Sequence, residues 1–302
     1  MKQTDTLKTH DALGRARFHS IKPIRHVRPT QREIRWFKHI ERHGPQSSTY
    51  LYELTRNTHS CRDTALRQMQ KLRAGGFLHL PRQQLATEHA GFNPYIYDLT
   101  AKAKKYLFDL GISEGTVLPH GHWVHGYMTS CVTSSIDIMA ARSGVRYIPG
   151  HEILNIKNST LAIPIGKSKL IPDQLFALDY CGSYRAFTLE VDRGNEPKTT
   201  TAFRKSYAGS IELYRRLIGG QIYKHHYGLK ANLLVLWVFS NRSNEARFLE
   251  MLECLPEYIR GYFLAQNVEG FHEMFQPPKQ ILKLYHEHWQ RSAIASSSIS
   301  PD

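Results

Sequence analysis

Two short stretches of this chain set carboxylates among apolar residues, at spacings that suit a hard cation. In IPDQLFAL (171–178), Asp173 follows Pro172 in a segment with Ile171, Leu175, Phe176 and Leu178. In AFTLEVD (186–192), Phe187, Leu189 and Val191 alternate with Thr188, Glu190 and Asp192. A strand's period of two puts Glu190 and Asp192 on one face and the apolar set on the other. Two carboxylates on one face repel each other and are costly to desolvate, so a cation or solvent belongs beside them. Mg²⁺ takes oxygen ligands, usually one or two of them protein carboxylates. Asp173, Glu190 and Asp192 are therefore the candidate ligands for Mg²⁺ or Mn²⁺. Such an ion would neutralise the non-bridging oxygens of a phosphodiester and generate a nucleophilic hydroxide. Lys205, in TTTAFRKSY, is the candidate to polarise the phosphate or orient water, ahead of Lys198. The competing use of Glu190 and Asp192 is a salt bridge to Arg185 or Arg193, and that of Asp173 is a turn. Three acids together within apolar strands favour the metal.

The elements that must position these acids read as an α/β core with a mixed sheet. ILNI, LAIPI, IPDQLFAL and YRAFTLEVD read as strands, 199–217 as a helix, and ANLLVLWVFS as a strand covered on both faces. SNEARFLEMLECL reads as a helix opening at Ser243. Tyr207 and Tyr214 lie seven apart on one helix face; core packing explains them as well as a nucleophilic role does. A helix around 120–143 links this core to what precedes it. Its HGHWVHG start holds His120, His122 and His125, but Gly121 and Gly126 break the helix there and no Cys or carboxylate completes a metal site, so the histidines read as structural. A last helix, ILKLYHEHW, wraps the core, and 291–302 reads as a disordered tail.

The charge is uneven. Residues 1–110 carry 20 Lys+Arg against 9 Asp+Glu, net +11, and residues 111–302 carry 20 against 17, net +3, giving the total of +14. A basic first third points to a polyanion, and nucleic acid is the obvious one. Residues 1–29 read as a flexible basic arm. Thr30 and Glu33 make a capping box for a helix with Ile34, Phe37 and Ile40 inward. Gly44-Pro45 ends it, Ser48 caps a second helix, Asn57-Thr58 makes a turn, and a third helix buries Ala65, Leu66, Met69 and Leu72. FLHL and YIYDL follow as two strands. Three helices and a two-stranded wing is the order of a winged helix-turn-helix over 30–112, closed by a basic helix that Gly111 stops. Its third helix offers Arg62, Arg67, Gln68 and Lys71 to phosphates and base edges, and the wing adds Arg82.

Four cysteines at 61, 131, 181 and 254 show no zinc spacing and suit reduced thiols. The longest apolar run fits a strand rather than a membrane span, and the N-terminus has no signal-peptide core, so a cytoplasmic protein is expected.

The Pro-Asp on one strand and Glu-x-Asp on the next resemble the PD-(D/E)xK nuclease superfamily. With the winged helix and the sequences HGHWVHG, PDQLFAL and LEVDRGNEP, the chain looks like the replication-relaxation family, related to MobC-type relaxases of mobilisable plasmids, over most of residues 30–260. The resemblance implies that Asp173 and Glu190 are the metal-binding pair and Glu152 the upstream acid. The sequence departs from the pattern at Asp192, where ExK has lysine. What it implies is a PD-(D/E)xK-like domain at 146–290, after a linking helix at 113–145, and a protein that binds double-stranded DNA near an origin-like site and nicks one strand. A non-catalytic regulator on the same fold is the alternative, and a homodimer stays open.

Overall fold

A computed structural model describes residues 21–59, 61–85, 94–115, 122–194, 199, 206–268 and 283–301. The chain divides into two compact units, one reaching Glu114 and the other starting at Gly115.

In the first unit, Thr30 and Glu33 form the expected capping box and open α1 (Gln31–His43), which Gly44 ends at φ 95°. Trp36, Phe37 and Ile40 are buried along it. A two-residue strand, β1 (Gln46–Ser47), precedes α2 (Ser48–Thr55). The cap of α2 is Ser47, whose hydroxyl accepts the Tyr50 N–H at 3.2 Å, one residue before the serine expected. A single 3₁₀ turn at Arg56–Thr58 leads to α3 (Arg62–Ala74), which buries Ala65, Met69 and Leu72. Then come β2 (Leu78–His79), α4 (Arg82–Leu85), β3 (Ile96–Leu99) and α5 (Ala101–Asp109). The strands pair antiparallel in the order β1-β3-β2. Residues 24–27, expected to belong to a free arm, lie along the end of α3. Ile24 N donates to Ala74 O at 2.9 Å, and a Cβ on Gly75 would stand 2.7 Å from that of Val27. Residues 1–20 of the arm fall outside the described residues.

The second unit opens with α6 (Trp123–Arg142), β4 (Arg146–Pro149), α7 (Gly150–Asn155) and a β5 (Ile163–Ile165)–β6 (Ser168–Leu170) hairpin. β7 (Gln174–Tyr180), β8 (Ser183–Asp192), α8 (Tyr207–Gly219), α9 (Ile222–Tyr227), β9 (Leu233–Phe239), α10 (Arg242–Leu252), α11 (Glu257–Arg260) and β10 (Phe263–Asn267) follow. The described residues end with α12 (Lys283–His286), β11 (Trp289–Arg291) and β12 (Ile294–Ser297). The result is a mixed α/β fold with a seven-stranded sheet ordered β12-β11-β10-β9-β8-β7-β4. Neighbours β8, β9 and β10 run parallel, and the other pairs are antiparallel. Parallel neighbours need long crossovers, supplied by α8–α9 and α10–α11. One sheet face, with Ala186, Val235, Trp237 and Phe239, packs with Tyr207, Tyr214 and Phe248 of α8 and α10 in a single core. On the opposite face Phe187 stacks on Phe176 at 5.2 Å, and Phe176 on Tyr147 at 5.1 Å.

Four further expectations are corrected. ILNI falls at the end of helix α7, not in a strand: a short apolar run does not distinguish the two periods, and Ile153 joins the core with Leu154 packed against it. Gly126 does not break α6, which runs through it and belongs to the second unit rather than to a separate linker. α10 is capped by Asn241, whose side chain accepts the Asn244 N–H at 2.8 Å, two residues before Ser243. The stretch read as a disordered tail carries β12 at the sheet edge; Tyr180 OH donates to Ile299 O, and Ile299 is buried. Among the described residues no helix is long and apolar enough to cross a membrane.

Candidate active site and nucleic-acid interface

Asp173 immediately precedes β7. The β7–β8 ladder begins with Gln174 opposite Leu189, and Asp173 N donates to Leu189 O at 3.0 Å, one residue before Glu190. The negative charges of Glu190 and Asp173 both bear on the Tyr214 phenol. Asp173 Oδ2 accepts the Val191 N–H at 2.7 Å, and its Oδ1 lies 2.9 Å from His125 Nε2. The histidine, left without a partner in the sequence reading, thus reaches the first acid from the first turn of α6.

Glu190 and Asp192 are both 0% exposed, and each meets a tyrosine. Tyr214 OH donates to Glu190 Oε1 at 2.6 Å, and Tyr207 OH donates to Asp192 Oδ2 at 2.8 Å. Seven residues is two helical turns, so both phenols descend from one side of α8 onto two acids of one strand face. Their rings stand edge-on to Trp237, and those of Tyr207 also to Phe239 and Phe248. Burial, reinforced by the negative charge of Glu190, pushes the Tyr214 phenol well above its usual pKa. It therefore stays a protonated donor, the opposite of an activated nucleophile.

Asp192 differs from the other two acids. Besides Tyr207 it accepts Asn244 Nδ2 at 2.9 Å on Oδ2 and the Gly194 N–H at 2.9 Å on Oδ1. With three donors it ties the end of β8 to α8 and α10. Among the described residues, Asp173, Glu190 and Asp192 do not bring one oxygen each within 4.8 Å of one another. Glu152, on α7, is half-exposed and paired with Arg146 at 2.7 Å. Lys205, Lys198 and His120 lie outside the described residues. Sequence reasoning missed Asn244, which carries no signal, and left the two tyrosines unassigned although their seven-residue spacing was the signal.

In the first unit the cations divide by role. Lys38 and Arg42 pair with Glu114 at 3.0 and 2.9 Å, and Lys102 donates to Gly75 O at 2.7 Å while lying 4.3 Å over the Phe77 ring. Arg62, Arg67 and Lys71 stand exposed on α3, with Gln68 half-buried between them. Arg82 is exposed too, on the one-turn α4 between the two wing strands.

The chain is thus an α/β protein with an outward basic helix in one unit and inward carboxylates on a mixed sheet in the other. The family model described as Replication-relaxation matches residues 37–233, and the chain belongs to that family. Membership implies a role in plasmid replication and relaxation. No curated protein and no solved structure is significantly similar to it.

Proposed function

We propose that this protein binds duplex DNA at an origin-like plasmid site through a winged helix-turn-helix in its first unit. Its second unit, we propose, is a PD-(D/E)xK-like domain that nicks one strand. The observation that carries the reading is that Asp173 and Glu190 lie where the β7–β8 ladder starts, with the charges of both bearing on one buried phenol, Tyr214. The α1–α2–α3 order with the β2–β3 wing supports the DNA-binding half, with α3 as the helix that meets DNA.

Mg²⁺ or Mn²⁺ fits Asp173 and Glu190 by donor chemistry, since Mg²⁺ is commonly held by one or two carboxylates together with substrate phosphate. Because Asp192 already accepts three hydrogen bonds, we read it as a positioning residue rather than as a ligand. When bound, the cation supplies charge neutralisation at the phosphate and lowers the pKa of a water. The chain's own residues do the holding. His125 and the Val191 N–H fix the Asp173 carboxylate, and Tyr214 fixes Glu190. Because Asp192 occupies the lysine place of the superfamily, the cationic side chain must come from elsewhere, and Lys205 is the candidate. Glu152 stays the candidate upstream acid.

The burial of Glu190 favours a second reading. A carboxylate closed under Tyr214 reaches no phosphate while that phenol stays in place, and the protein would then regulate replication by binding alone. A supercoiled plasmid carrying the protein's own genomic neighbourhood separates the two. Open circles formed with Mg²⁺ or Mn²⁺, absent with EDTA and lost in Glu190→Ala, are the expected result. Binding without cutting in either metal rejects the nickase and leaves the regulator.

A further inference from the structure

We infer that the second unit has a nucleic-acid contact of its own, a lysine patch around Gly228 that grips the phosphate backbone. The choice of DNA as the polyanion rests on the binding half of the proposed function; the patch does not depend on nicking. No acidic residue occurs between Glu152 and Asp173 or between Glu212 and Glu245. The fold brings these two acid-free stretches together. Tyr227 OH donates to Leu161 O at 2.8 Å, and His226 Nε2 lies 2.8 Å from Thr160 O. At Gly228, φ +74°, a Cβ would stand 2.8 Å from Lys157 Cγ. Lys157, after α7, thus meets the chain at Gly228, which Lys224 and His225 on α9 precede by four and three residues and Lys230 follows by two.

Lys157, His225 and Lys230 are exposed and Lys224 is half-exposed. Among the described residues none of the three lysines lies in a salt bridge, whereas Arg215 and Arg216 nearby in sequence are both taken by Glu212. The next segment has the opposite sign: from 245 to 257 it carries Glu245, Glu250, Glu253 and Glu257 against Arg247 alone. The near-balanced charge of the second unit thus conceals a positive pole. Clustered ammonium groups repel one another, and a phosphate chain relieves that repulsion while releasing its condensed counterions. Lysine acts as a point charge without bidentate geometry, so the patch suits backbone contact rather than base reading.

The test is a salt titration of the full-length protein with a labelled short duplex and with the matching single strand. Lys157→Gln/Lys224→Gln/Lys230→Gln is compared with Arg247→Gln/Lys283→Gln, which removes cations elsewhere in the unit. The triple variant is expected to flatten the slope of log K against log salt by up to about 2.7 on at least one probe, with the control unchanged. Flattening on the duplex alone assigns the patch to intact DNA, and on the single strand alone to a displaced strand. A wild-type slope on both probes, or equal flattening per charge in the control, overturns the proposal. Arg67→Ala/Lys71→Ala, run alongside, reports on α3: if it alone flattens the slope, the proposed function stands and the patch falls.

Discussion

The cations of α3 and the acids of β8 show two opposite ways of using charge. Arg62, Arg67 and Lys71 stand in solvent, where charge costs little and acts at a distance. Glu190 and Asp192 are wholly out of water, where an ionised carboxylate persists only if donors replace its hydration. Asp192 has three donors, two from side chains on different helices, so it contributes to the structure of the second unit more than any cation of α3 does to the first. Exposed charge selects a partner, while buried charge fixes the elements around it.

Asp192→Ala gives the largest expected effect. It removes the buried acceptor shared by Tyr207 OH and the Asn244 amide, and should cost about 3–5 kcal/mol in urea unfolding. Arg67→Ala, by contrast, should stay within about 0.5 kcal/mol of wild type. A small loss at Asp192 would erase the contrast. Tyr214→Phe comes next: Glu190 loses its phenol donor, and stability should fall by about 1–3 kcal/mol. If Tyr214 holds Glu190 for the metal, the same change should weaken divalent-metal binding; if it closes Glu190 off, as in the second reading, binding should strengthen. Arg67→Ala/Lys71→Ala should leave the melt unchanged and flatten the salt dependence of DNA binding by about 1.8, uniformly across sequences.

The smallest effects come from two glutamates with opposite shifts. Burial would raise Glu114, but its bonds to Arg42 and Lys38 outweigh this and hold it below the ordinary carboxylate range. Its contribution is full above the unfolded pKa of about 4.3 and fades as pH falls through the folded value. Burial raises Glu245, with the Asn267 backbone, Arg242 and Lys283 only partly offsetting it. Its contribution is present below the unfolded pKa and is lost as pH rises through the folded value. At pH 7, Glu114→Gln should therefore lower the melting temperature and Glu245→Gln raise it. Both differences should shrink as melts are repeated toward pH 4.

The period of two in AFTLEVD was enough to place Glu190 and Asp192 on one face, and the Pro-Asp before the neighbouring strand located Asp173. Their partners were not legible. Which helix face lies over a strand is set by packing, so the spacing of Tyr207 and Tyr214 gave a face without its target, and Asn244 lies 52 residues from Asp192. Gly126 was misread because a mid-helix glycine costs only about 1 kcal/mol, which packing of α6 offsets. β1 is too short to show a period. β12 was misread because an edge strand lives on main-chain bonds, which a serine-rich segment makes as well as an apolar one.

The most direct test of the central claim, that Asp173 and Glu190 rather than Asp192 hold the metal, is a calorimetric titration of Mn²⁺ into the wild type and Glu190→Gln. Wild-type binding that Glu190→Gln abolishes, while the variant keeps its fold and its affinity for DNA, is the expected result. Mn²⁺ binding of equal strength in both proteins, or in neither, contradicts it.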